Sequence, residues 1–164
     1  MIARIALLAL LFVSMIYDQR KREVPMSLTV AGLVGSGLFA MLNGLWAPVL
    51  LTAVLILGSD FNPRAKRLAI AMTSSVIASF VQLDAVLISA TLLGVWMLWE
   101  FGILGGADVK LMIAAVLVLG NPAVLIPISI AGGIQGVIAS LQKKKEIPFV
   151  VSIFCGTLLF VLYP

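Results

Sequence analysis

Eight apolar runs, separated by polar loops too short to fold on their own, leave this chain few architectures. The runs cover residues 2–17, 26–44, 46–58, 67–81, 84–103, 109–119, 122–141 and 147–163. A helix standing upright in a bilayer needs roughly 20 residues to cross the hydrocarbon; some of these runs reach or approach that length and several fall short of it. In hydrocarbon the backbone must satisfy its own N–H and C=O groups, which a helix does within one segment. The expected fold class is therefore all-α: a polytopic transmembrane helical bundle of about eight helices. Six is the alternative count, because 46–58 and 109–119 are short. Composition agrees, with 62% hydrophobic residues, 11% charged residues and a mean hydropathy of +1.20. Soluble domains are far more polar. The chain reads as an integral membrane protein with one membrane-embedded domain over 1–164, and the lipid bilayer is its first expected partner.

The placement of Lys and Arg tests the count of eight. The loops after the first, third and seventh runs are "DQRKRE", "SDFNPRAKR" and "QKKKE", and Lys110 follows the fifth. The opposite loops, "NGL", "QLD" and "NP", hold neither residue, so of eleven basic residues only Arg4 falls on the other side. Basic loops stay in the cytoplasm, which predicts both termini outside it. The first run reads as a retained helix and not a cleaved signal peptide, since its charges follow the apolar stretch and no small-x-small site is present. The net charge of +4 sits in short clusters flanking the runs. Such clusters are topology signals, and no nucleic-acid partner is expected.

Histidine is absent and Cys155 is the only cysteine. Imidazole or thiolate zinc sites, Ser-His-Asp triads and Cys-His dyads cannot be built from this chain alone, and a disulfide within it is excluded. Cys155 reads as a small core hydrophobe. The glycines at 32, 35, 37, 132, 133 and 136 are expected to permit close helix packing.

Seven acidic residues remain as the chemical inventory. Glu23, Asp60, Asp84 and Glu146 lie in polar loops, where a solvated carboxylate needs no explanation. Glu100, beside Trp96 and Trp99, reads as an interfacial residue, with tuning of nearby aspartates or attraction of a basic segment as the alternative. Asp18 and Asp108 differ from these, because each sits where an apolar run meets the cytoplasmic boundary. A carboxylate there is costly and marks a functional hypothesis. An even number of spans separates the two, so both fall on one membrane face. Two carboxylates sharing a partly dry site do not both ionise, so one keeps a proton while the other serves as a base. That suffices to activate water against a peptide carbonyl with no metal or other cofactor. Gly105 and Gly106 ahead of Asp108 would let backbone approach a substrate strand. The plainer reading is a Gly-Gly turn followed by a capping acid.

Three segments, in this order, resemble the type IV prepilin peptidases, aspartic proteases of the GxGD kind. They are "YDQRKREVP" closing the first run, "GGADVKL" opening the sixth, and "KEIPFVVSIFCGTLL" opening the last. The resemblance covers residues 1–44 and 84–164. It implies an intramembrane endopeptidase of the inner (cytoplasmic) membrane, with its active site facing the cytoplasm, that removes a short basic leader from pilin, pseudopilin or flagellin-like precursors. It also implies that Asp18 and Asp108 are the catalytic pair, that Gly105, Gly106, Ala107, Lys110 and Pro148 support the motif or the substrate, and that pilus or secretion assembly proteins are partners. Pro148 is further expected to set the start of the last helix. The chain departs from the pattern at Ala107, which stands where the motif has glycine, and at Met26, where the family often has asparagine. Residues 45–83 have no counterpart and read as a two-helix insertion. Longer members carry a cysteine-rich segment and methylate the new N-terminus; this chain resembles the short form, and methyl transfer is not expected. Two other classes stay open: an ion- or proton-coupled transporter subunit, whose carboxylates would tend toward the bilayer midplane, and an inactive peptidase-like assembly partner.

Overall fold

The computed structural model describes residues 1–58, 63–142 and 148–163. Asp60, Glu146 and Lys143, Lys144 and Lys145 lie outside the described residues. Among those described there are eight α-helices: α1 (Ile2–Lys21), α2 (Met26–Leu42), α3 (Trp46–Leu57), α4 (Arg64–Val81), α5 (Val86–Glu100), α6 (Gly106–Leu119), α7 (Leu125–Leu141) and α8 (Phe149–Leu162). Single 3-10 turns at Leu83–Ala85 and Pro122–Val124 lead into α5 and α7. The all-helical bundle read from the apolar runs is thus the fold. Three stretches are long and apolar enough to cross a membrane, Ile2–Lys21, Leu83–Glu100 and Pro122–Leu141, and the apolar α2, α3 and α8 are shorter.

α6 is the axis. Its 14 residues rise only about 21 Å, yet Val109 and every residue from Leu111 to Leu117 are buried. A helix apolar on all sides belongs inside protein, and α1, α2, α5 and α8 surround it. The outside of the bundle is apolar too. Leu38, Phe80, Leu87, Ile126 and Ile134 are all exposed, a surface suited to lipid and unsuited to water. Cys155 corrects its sequence reading, for it lies on this exposed face and not in the core. A cysteine in an apolar run carries no signal of which side of the helix turns inward.

α3 and α4 form a hairpin with a small core of their own. Ala47, Leu51, Leu55, Ala71 and Ala78 close around Trp96 of α5, apart from the main cluster around α6. At one end of this hairpin the Gln82 amide donates to the Gly44 carbonyl at 2.9 Å and accepts from the Ala47 N–H at 3.3 Å.

The glycines divide by use. A Cβ on Gly32 or Gly132 would run into Leu10 or Phe149, whereas one on Gly35 or Gly133 would meet nothing. The closest approach to backbone was not foreseen: a Cβ on Gly156 would lie 2.5 Å from the backbone of Ile128. That contact sets how closely α7 and α8 pack.

Candidate active site

The first arm of the site is the last turn of α1. The helix outruns its apolar stretch and ends when Arg22 adopts φ 58°, its N–H donating to the Asp18 carbonyl at 3.0 Å. Arg22 is the one described residue other than glycine with positive φ, a conformation that side chains resist and surrounding structure must hold. Asp18 lies in this last turn, directed toward α8. Its Oδ2 accepts from the Val150 N–H at 3.3 Å. Val150 is the second residue of α8, one of the first-turn N–H groups that a helix cannot satisfy internally.

α8 is held in place to receive that contact. Pro148 occupies its N-cap position, as expected from the sequence, and the Pro148 carbonyl accepts from the Gln135 side-chain amide at 3.1 Å. The Gln135 oxygen in turn accepts from the Ser152 hydroxyl. Sequence reading missed Gln135, and an amide in the otherwise apolar α7 was the available signal.

The second arm is the start of α6, reached through a turn that the sequence sets closely. Gly102 has φ 72° and its N–H donates to the Trp99 carbonyl at 2.8 Å, while the Ile103 N–H donates to the Leu98 carbonyl at 2.9 Å. This is the Schellman ending of a helix, and it needs glycine at its left-handed position. Gly105 then caps α6, so the helix starts at Gly106 and Asp108 is its third residue. The Asp108 carboxylate reaches back to accept from the Gly105 N–H, the reciprocal half of a capping box. A Cβ at Gly105 would stand 3.1 Å from Asp108 Oδ2, and one at Gly106 would stand 3.3 Å from the Trp99 indole nitrogen. Glycine at both positions leaves room for the carboxylate and for the indole. Ala107 follows, half-buried.

The two arms meet at one end of the bundle. Asp18 and Asp108 are close enough for the charge of one to act on the other, and the Arg22 guanidinium acts on Asp18. Each carboxylate accepts from a backbone N–H at a helix N-terminus, where the helix dipole favours negative charge.

Lys110 does not join them. Two residues beyond Asp108, it stands on the other side of α6 and lines a groove of about 410 Å³ with Met26, Val30, Val34 and Ala53, between α2 and α3. It makes no ion pair among the described residues.

Glu100 has a definite environment. Its side chain is 7% exposed and its Oε1 lies 2.6 Å from Arg67 and 3.3 Å from Arg64, both on α4. Its backbone carbonyl accepts from Arg64 at 2.6 Å. The sequence reading of Glu100 as an interfacial acid omitted these partners, although arginines three apart on one helix share a face.

Compared with protein-family models, with curated proteins and with solved structures, the chain matches none.

Proposed function

We propose that this protein is an intramembrane aspartic endopeptidase, multi-pass in the cytoplasmic membrane, that removes a short basic leader from prepilin-like precursors at the cytoplasmic boundary. One observation carries the proposal: two acidic side chains from helices far apart in sequence, Asp18 of α1 and Asp108 of α6, lie at the same end of an apolar bundle, near enough for the charge of one to act on the other. In the proposed reaction the ionised member of the pair takes a proton from water as it attacks the scissile carbonyl. The protonated member donates to the carbonyl oxygen, giving a gem-diol; the proton gained by the base then passes to the amine nitrogen as the C–N bond breaks, and a gem-diol hydroxyl returns its proton to the other aspartate. The supporting residues have local roles. Gly105 leaves room for the Asp108 carboxylate, and Pro148 begins the helix whose Val150 N–H holds Asp18.

The test is a leader-cleavage assay in membranes with a prepilin-like substrate, using the wild-type chain, Asp18→Asn and Asp108→Asn after confirming that each inserts. Cleavage by the wild type and by neither variant is expected. Cleavage surviving either substitution contradicts the two-aspartate reaction, and a wild type that cleaves no substrate contradicts the peptidase assignment.

A further inference from the structure

Between Glu100 and Gly106 the chain has only a short turn in which to leave one helix and start the next, and that turn determines where Asp108 stands. Two arginines from the first turn of α4, Arg64 and Arg67, converge on it. Arg64 donates to the Glu100 carbonyl, one of the C-terminal acceptors that a helix leaves unsatisfied. Arg64 also covers the Phe101 ring, its guanidinium carbon 4.9 Å from the centroid. Arg67 grips the Glu100 carboxylate with two nitrogens, at 2.6 and 3.1 Å. A carboxylate at a helix C-terminus opposes the helix dipole and is unfavourable without such cations. Trp99, next to Glu100, packs against both the hairpin core and the main core and lies against Gly106. Displacement of the α5 end would therefore be passed to the first residue of α6.

We propose that Arg64 and Arg67, acting through Glu100, are positioning residues that clamp the α5–α6 turn and so fix the Asp108 carboxylate at the aspartate site. On this view the α3–α4 hairpin is a brace for the site, tied by Gln82 at its far end and by the two arginines at the near end. The consequence for cleavage rests on the peptidase reading; the clamp itself does not.

The experiment separates the two. Amide hydrogen exchange is measured over residues 101–106 in the full chain in lipid nanodiscs, for the wild type, for Arg64→Gln/Arg67→Gln, for the milder Arg67→Lys, and for Gln82→Ala, which loosens only the far end of the hairpin. The clamp predicts exchange at the turn about ten-fold faster in the double variant, a smaller rise in Arg67→Lys, and no change in Gln82→Ala. Leader cleavage by the double variant should lose about ten- to a hundred-fold in kcat with KM held. Unchanged exchange at the turn overturns the clamp, and so does an equal rise in Gln82→Ala, which would report general loosening. If the wild type cleaves nothing the peptidase reading fails, and the exchange data still decide the clamp.

Discussion

Glu100 and Asp108 stand on either side of one turn and are treated in opposite ways. Glu100 is buried against two arginines, which neutralise it. Asp108 is met by a backbone N–H and by another acid, Asp18. A carboxylate gripped by two guanidinium groups is held in place and serves structure. One set near a second carboxylate has no cation to hold it among the described residues, and in the proposed reaction it exchanges protons. Depth in the bundle is therefore a poor guide to chemistry here; the charge facing each acid separates the two sites.

Several substitutions can break or sharpen that contrast. The largest expected effect is Asp108→Asn, which keeps the shape and the acceptor for the Gly105 N–H but removes the acid. Leader cleavage should fall by roughly 10³-fold or more, with unchanged insertion and thermal unfolding. Next is Glu100→Gln, which leaves two partly exposed arginines without their carboxylate. It should cost about 1–3 kcal/mol, read as a lowered unfolding temperature in detergent, with a smaller loss of cleavage than Asp108→Asn. A variant unchanged in stability would mean that the ion pairs are ornamental. Gly105→Ala should slow cleavage about ten-fold by crowding Asp108 Oδ2, with little change in unfolding. The smallest effect is expected from Lys110→Met, since the lysine lies on another side of α6; cleavage within about three-fold of wild type would agree, and a loss matching that of Asp108→Asn would place Lys110 in the reaction.

Much of the fold was legible because hydropathy fixes where helices run. The apolar runs at 46–58 and 122–141 are helical over nearly their whole length, as Trp46–Leu57 and as the 3-10 turn plus α7. Some errors lie where charge continues a helix, since polar residues end an apolar run without ending hydrogen bonding, and one lies where the apolar run to 103 passes the end of α5 at Glu100. α1 continues to Lys21, and α4 begins at Arg64. The two aspartates stood out in the sequence as acids at the ends of apolar runs, and the parity of spans led to the expectation that they share a face; they lie at the same end of the bundle. What held them was not, because the donors are backbone N–H groups of Gly105 and Val150, which have no side-chain signature. The Gly156 contact with Ile128 and the arginine partners of Glu100 were hidden for a related reason: a pattern of residue types gives a helix face and not its neighbour.

The central claim is that Asp18 and Asp108 act as one unit. Cleavage rates for Asp18→Asn, Asp108→Asn and the double variant test it most directly, because groups that work together are not additive. The account predicts that each single variant is as slow as the double. Single variants that each retain substantial cleavage, with losses that multiply in the double variant, would contradict it.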